Sequence, residues 1–319
     1  VNPDAAASSL PADGHEAEAV VPARIKPVRV VSARVSVRDR VVEIWRTREL
    51  LSYLISTEIK VKYKNSALGL LWSMVAPAMS LMIFWFVFGV VLKNAYPSFV
   101  IYLFSGLLFW NFFSTAVSSA TRVIVDRAGI VKKVSFPREI LALSSIGTSL
   151  VFMFFQTAVL IAFMVVLQHA PDWHLLPLLI PALLATTIIA AGLGILLSAA
   201  NVYLRDMSHL IEIVLQAWFW ACPVVYSFWS QINPRLGGFF FIYLMNPMAP
   251  IVLTSQRVIY GHTYVHLTTP THPGVQLLPT WSGWTYLAMD SFLVVAGLVL
   301  LWIALAVFGR LEGNFAEEL

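Results

Sequence analysis

The sequence predicts an all-α integral membrane protein with six transmembrane helices, an N-terminal amphipathic interface helix, and re-entrant external helices between spans 5 and 6. Three observations carry this reading. Apolar residues make up 59% of the 319-residue chain and charged residues only 12%, about half the roughly 25% of a soluble domain. Several apolar runs exceed the roughly 20 residues that cross hydrocarbon, and mean hydropathy is +0.78. Basic residues are also unevenly placed: of 21 Lys and Arg, eleven precede residue 65 and five more lie between Arg122 and Arg138. That is the loop asymmetry that orients membrane proteins, not a nucleic-acid surface. The one cysteine, Cys222, excludes an intrachain disulfide and a CxxC metal or redox site.

Residues 1–40 read as a disordered cytoplasmic extension, and 41–319 as the transmembrane domain. The extension is rich in Ala, Val, Pro and Ser without sustained periodicity and ends in a basic juxtamembrane stretch from Arg24 to Arg40. From Val41 to Lys60 the pattern becomes helical. Arg46, Glu49, Tyr53, Ser56 and Lys60 recur at spacings of three and four, while Leu50, Leu51, Leu54, Ile55 and Ile59 fill the other side. This fits a helix lying in the interface with Lys60, Lys62 and Lys64 at the headgroups, or one packed on a soluble partner.

Six spans follow, at about 66–92, 98–121, 139–168, 176–200, 207–228 and 284–308. Pro77 falls inside the first, where neighbouring helices can satisfy the freed carbonyl. An N-terminus inside keeps 122–138, 201–206 and the C-terminal tail in the cytoplasm, leaving only Lys93, Arg235 and Arg257 outside. Eighteen basic residues inside against three outside fixes this orientation as the expectation. Between 229 and 283, Phe239–Leu244 and Ile251–Tyr260 are apolar but too short to span, and Asn246, Pro247 and Pro250 break the chain between them. Such segments suggest re-entrant or interfacial helices. Gly261 to Gly283 then turns polar.

No GxxxxGK[ST] occurs, so the chain cannot cradle a nucleotide by a P-loop, and ATP-driven work needs a second protein. Gly192 and Gly194 lie inside an apolar span and serve close helix packing. His262, His266 and His272 lack a Cys or carboxylate cluster, so a solvated loop rather than a metal site is expected. Glu212 shares a helical stripe with His209, Gln216 and Trp220, and Asp290 sits in the last span. Ionisable residues in spans suggest function, but Glu212 near the cytoplasmic end could equally pair with a basic residue. Asn111, Ser114, Ser118 and Thr121 form one polar stripe; Ser145, Ser149 and Gln156 form another. Either stripe suits helix packing or a hydrated path. Trp85, Trp110, Trp218 and Trp220 sit deeper than the headgroup belt, where flat rings could stack on sugars or simply pack. Asp126 to Arg138 reads DRAGIVKKVSFPR, an amphipathic connection that could dock in a partner's groove or be a plain basic loop.

Together these residues resemble the ABC-2 family of exporter permeases, in its Wzm-type branch that exports O-antigen, teichoic acid and related glycans. The resemblance covers about residues 45–312. It rests on KVKYKNSALGLLW at Lys60–Trp72, Pro77, Phe88-Gly89, GIVKKVSFPRE at Gly129–Glu139, NVYLRD at Asn201–Asp206 and NPMAP at Asn246–Pro250. It implies a bacterial inner-membrane protein with both termini cytoplasmic. It further implies a homodimer with two cytosolic ATPase subunits, moving undecaprenyl-linked polysaccharide along a path between the two permeases. No cofactor is expected in this chain; ATP and Mg would sit on the partner.

The resemblance makes Gly129, Ile130, Val131, Lys132, Lys133, Val134, Phe136 and Pro137 the ATPase-coupling element, and the helix carrying Arg46, Glu49, Tyr53 and Lys60 the interface helix. The deep aromatics and the polar stripes, with Trp85, Trp110, Asn111, Glu212, Gln216, Trp218 and Trp220, are the candidate path. The N-terminal extension and the Gly261–Gly283 insertion depart from the simplest family pattern. Within the family, the chain looks most like actinobacterial galactan exporters. Two other readings stay open: a membrane-embedded glycosyltransferase or lipid-modifying enzyme, and an ABC-2 small-molecule drug exporter. The enzyme would need loop carboxylates, and the loops offer only Asp172 outside and Asp126 and Asp206 inside.

Overall fold

The computed structural model of the chain describes residues 36–62, 64, 71–91, 98–134, 136–265 and 275–319. The expected N-terminal extension up to residue 35, together with Lys93, His266 and His272, lies outside the described residues.

The N-terminal amphipathic segment forms two helices rather than one, α1 (Val37–Arg46) and α2 (Arg48–Lys62). Thr47 marks the break. Its hydroxyl donates to the carbonyls of Glu43 and Ile44 at 2.8 and 3.1 Å, competing with the helical ladder there. The helix also starts four residues before the expected Val41, because Arg40 has buried partners described below. In α2, Arg46's successors follow the expected division: Glu49, Tyr53 and Lys60 are exposed, while Leu50, Leu51, Leu54, Ile55 and Ile59 are half-buried. That apolar face packs on the third expected span.

Among the described residues, four helices have the length and composition of membrane spans: α4 (Phe99–Asp126), α6 (Glu139–Val166), the Leu176–Tyr203 segment with α7 (Leu179–Tyr203), and α12 (Gly283–Leu311, continued by a turn to Asn314). The fifth expected span is shorter, and of the first, residues 66–70 and 92 lie outside the described residues. α3 (Trp72–Phe84) contains Pro77 and continues as wide i→i+5 turns from Trp85 to Val91. α8 (Met207–Trp220) stops well short of the expected residue 228. The reason is local: Pro223 has no N–H to donate and disfavours helix in the residue before it. A four-residue helix, α5 (Ala128–Val131), sits between α4 and α6. Short helices α9 (Asn233–Leu236) and α10 (Phe240–Leu244) lead to α11 (Met248–Ile259), and α13 (Phe315–Glu318) follows α12. The polar Gly261–Gly283 stretch opens with a two-residue antiparallel pairing, Tyr264 opposite Gln276 and Val265 opposite Val275.

α4 is the centre of the molecule. It packs on α6 on one side and α7 on the other, with α12 beyond α7 and α2 and α3 against α6. Small residues set these spacings. A Cβ on Gly192 would come within 2.9 Å of Leu300 in α12, and one on Gly194 within 2.8 Å of Ala120 in α4. The two glycines therefore let α7 approach both neighbours, as close helix packing in a membrane requires. α11 is about 18 Å long, too short to cross about 30 Å of hydrocarbon. Yet every residue in it except Arg257 is buried, against α4 and α7. The short apolar helix expected at Ile251–Tyr260 is thus present but begins at Met248, and Pro250 sits in its first turn, where a missing N–H is tolerated, rather than breaking the chain before it.

Candidate functional site

The end of the bundle that carries Arg122–Arg138 is called the basic end here, and the α11 end the far end. At the basic end, the segment Gly129–Pro137 projects between α4 and α6. Ile130 and Val134 are 47% and 55% exposed, and Gly129, Lys132 and Lys133 are exposed beside them. Val131 is turned the other way, 3% exposed in the chain's own core, and Phe136 and Pro137 are half-buried. So the apolar residues open to a partner are Ile130 and Val134; Val131 is withdrawn from the outward set because its side chain packs inward.

Both ends of this segment are pinned by ion pairs. Before it, Arg127 reaches Glu58 of α2 at 2.7 Å, and Glu58 accepts a further bond from Thr148 of α6 at 2.6 Å. After it, Glu139, 1% exposed, pairs with Arg40 of α1, which also holds Glu312 beyond α12 at 2.9 Å. Arg138 donates to the Glu312 carbonyl at 2.7 Å and lies over the Phe315 ring. Burial opposes the charge on Arg40, but Glu139 and Glu312 outweigh it and raise the guanidinium's pKa above its ordinary value.

A cavity of about 290 Å³ is lined by Glu58, Ser119, Arg122, Asp126, Arg127 and Ser145. Arg122 donates to Glu212 of α8 at 2.5 Å and to the Ser118 hydroxyl at 3.2 Å. Glu212 thus has the basic partner that its position near this end allowed. Further along, Asn111 and Gln156 face each other at 3.5 Å between α4 and α6. On α8, His209, Glu212, Gln216 and Trp220 form one exposed stripe, with Trp220 63% exposed. Trp85 is 46% exposed.

The aromatic candidates split in two. Trp110 is 5% exposed, packed against Phe113, Trp218 and Phe219. Trp218 is half-buried and its indole N–H donates to Asn246 at 2.8 Å. These two belong to the core: both rings pack among aromatic neighbours, and Trp218 also finds an acceptor for its N–H. Trp85 and Trp220 remain on the exposed surface.

Sequence reasoning missed several residues. Asn246, read only as a breaker, is a knot at the far end. It accepts from Trp218 and from the Met248 N–H, and donates to the Ala221 carbonyl at 2.9 Å, joining the end of α8 to the start of α11. Gln256 donates to the Pro223 carbonyl at 2.9 Å, holding the chain where α8 has ended. Asp172 is paired with Arg257 at 3.2 Å, and its N–H bonds the Val258 carbonyl. Arg40 gave no signal because nothing periodic surrounds it. Asp290 is fully buried in α12, and neither carboxylate oxygen has a hydrogen-bond partner among the described residues. His262 packs edge-on against His169, and no metal-ligand group of three or more occurs among the described residues.

The comparisons with known proteins agree with this geometry. The family model described as ABC-2 type transporter matches residues 49–260. The chain is 30% identical over 277 residues to the O-antigen export system permease protein RfbA of Myxococcus xanthus, covering 87% of this chain and 98% of that protein. Two Klebsiella pneumoniae proteins with the same description are 27% and 26% identical, each over 85% of this chain and 95% of their own length. A match from α2 through α11, with relatives aligned almost end to end, places this chain in the ABC-2 type transporter family.

Proposed function

We propose that the chain is the membrane permease of an ATP-driven exporter that moves undecaprenyl-linked polysaccharide, of O-antigen or galactan type, from the cytoplasmic to the outer face of the inner membrane. The basic end is then cytoplasmic, with both termini there, as the excess of Lys and Arg favours. Residues from about 41 onward are the transmembrane domain of six passes, two of them the short helices α3 and α8. Two copies work with two cytosolic ATPase subunits, which carry ATP and Mg.

The observation that carries the reading is the Gly129–Pro137 segment: an exposed apolar pair, Ile130 and Val134, flanked by Lys132 and Lys133 and fastened at both ends to the bundle. Partner closure on ATP binding pushes this segment. The push tilts α3 and α8 and opens a path between the two copies, lined by the exposed stripe of Glu212, Gln216 and Trp220 with Trp85 and Asn111. Arg46, Glu49, Tyr53 and Lys60 face the headgroup region from the interface helices. The permease makes and breaks no covalent bond. Asp172, the outer carboxylate an enzyme reading would need, is occupied by Arg257.

The test uses the permease with its ATPase in liposomes and a fluorescent undecaprenyl-diphosphate oligosaccharide as probe. ATP-dependent appearance of the probe on the opposite leaflet is expected. Sugar transfer without ATP, or transport of small amphiphiles with the glycan lipid ignored, would overturn the proposal.

A further inference from the structure

Arg40 lies where sequence reasoning placed only a disordered extension, and the structure gives it the most enclosed charge cluster at the basic end. It is 9% exposed and bridges two carboxylates remote from it in sequence, Glu139 at the start of α6 and Glu312 after α12. Its guanidinium crosses the α12 backbone at Gly309, where a Cβ would come within 2.8 Å of Nε and 2.9 Å of Cζ. Arg138 adds a second cation, held to the Glu312 carbonyl and over Phe315. Phe315 in turn is fully buried against Phe308 and Tyr203. Two cations and two carboxylates from three parts of the chain therefore meet directly behind Pro137.

We propose that α1 is a strut for coupling: Arg40, clasped between Glu139 and Glu312, is a positioning residue that makes the Gly129–Pro137 segment move as one body with α6 and α12. The inference rests on that segment being the docking element. The physics is that of a lever. A loop pushed by a partner passes displacement to the helices behind it only if its ends yield less than its middle. Breaking the Arg40–Glu139 pair would strand a buried carboxylate, which is costly, so the joint stays closed under load. At the other end Arg127–Glu58–Thr148 fastens the segment to α2. Both N-terminal helices thus brace one loop, α2 before it and α1 behind it, and the ion pairs that do so are reached from opposite sides.

The experiment reads probe movement per ATP hydrolysed in the liposome assay above, using the full complex. Arg40→Gln removes the clasp, and Gly309→Val displaces the guanidinium without deleting any charge. Both variants are expected to keep hydrolysing ATP while transport per ATP falls about fivefold, the range in which coupling residues act. Arg40→Lys, which can hold one carboxylate at a time, should recover part of the ratio. A wild-type ratio in both Arg40→Gln and Gly309→Val overturns the strut.

If Arg40→Gln does not assemble, Arg40→Gln/Glu139→Gln strands no charge and decides by the same ratio: lowered supports the strut, normal sinks it. Ile130→Asp/Val134→Asp separates the two inferences. Uncoupling by that pair with normal Arg40 and Gly309 variants rejects the strut alone. Wild-type transport by that pair rejects the docking element, and the strut falls with it.

Discussion

α8 and α11 are separated by fewer than thirty residues and both are short and apolar, yet the fold treats them oppositely. α11 buries all but one of its twelve residues against α4 and α7. α8 buries only Ile211 and Leu215 of its fourteen and leaves Leu210, Ile213, Val214 and Trp220 open in the single chain. The difference lies in what holds the ends. α11 starts at the Asn246 knot and finishes under the 167–175 loop, whose Asp172 N–H and His169 ring bond the carbonyls of Val258 and Tyr260. α8 is tied at its start by the Ser208 N–H to Asn201 of α7 and at its end through Asn246 and Gln256, but between them its polar tie is the half-exposed Arg122–Glu212 pair. An exposed ion pair of this kind contributes little. In the single chain one helix is enclosed along its whole length and the other lies mostly open.

The largest expected effect breaks the packing side of that comparison. A Cβ on Gly106 of α4 would sit 3.0 Å from the Gln256 side chain and 3.2 Å from Val252 of α11. Gly106→Val adds two more carbons to that contact, and overpacking of this kind costs about 1–3 kcal/mol. It also threatens the Gln256 bond to Pro223, so a sharp fall in Tm of the detergent-solubilised protein is expected. The matched change on α8 is Ala217→Val, at an exposed position, and it should leave Tm almost unchanged. If both variants melt alike, α8 is as enclosed in the assembled protein as α11, and the contrast belongs only to the single chain.

A middle-sized effect separates two tryptophans that are two residues apart. Trp218→Leu loses an indole bond to Asn246 and ring contacts with Trp110 and Phe113, a loss of about 1–2 kcal/mol. Trp220→Leu changes an exposed side chain and should alter stability by no more than about 0.5 kcal/mol. Its effect is expected in transport: slower export at normal ATP hydrolysis, because a leucine offers no flat face to a sugar ring. Export at the wild-type rate by Trp220→Leu would assign that ring to lipid or to a second copy.

The spans themselves could be read from the sequence because hydrophobic length is a local property. α6 was expected at 139–168 and runs from Glu139 to Val166; α12 was expected at 284–308 and runs from Gly283 to Leu311. The early end of α8 was also visible in principle, since Pro223 is a local signal, but continuous apolarity through residue 228 outweighed it. What could not be read was which apolar surface meets which. Trp110 and Trp220 look alike as residues in apolar helices, and only the packing of α4 against α8 buries one and leaves the other open. Arg40, Glu139 and Glu312 are hidden for the same reason. Ion pairs spanning such separations leave no spacing rule in the chain, whereas Glu212 could be assigned a basic partner because both lie near one end of their spans.

The smallest effect concerns the cap that keeps α11 in place, and it depends on pH. His169 lies on the loop after α6, its Nε2 3.1 Å from the Tyr260 carbonyl. A carbonyl only accepts, so the neutral ring must carry its proton on Nε2. Its ring stacks on Tyr260 and meets His262 edge-on, with Arg257 and Asp172 paired beside it. Burial, and then the neighbouring His262, lower the pKa of His169 below the ordinary histidine value. The sign follows from linkage: a base that is harder to protonate in the folded state binds more protons when unfolded, so stability rises with pH. The contribution is complete above about pH 6.5, the ordinary histidine value, and declines as pH falls toward the lowered folded value. Melting curves of the purified protein between about pH 7.5 and 5.5 should therefore show Tm falling on acidification, in the window where an ordinary histidine titrates. His169→Gln keeps a side-chain donor for the Tyr260 carbonyl and has no proton to gain, so its Tm should vary less over the same window. An identical slope in wild type and His169→Gln would move the acid sensitivity elsewhere and leave the α11 cap indifferent to pH.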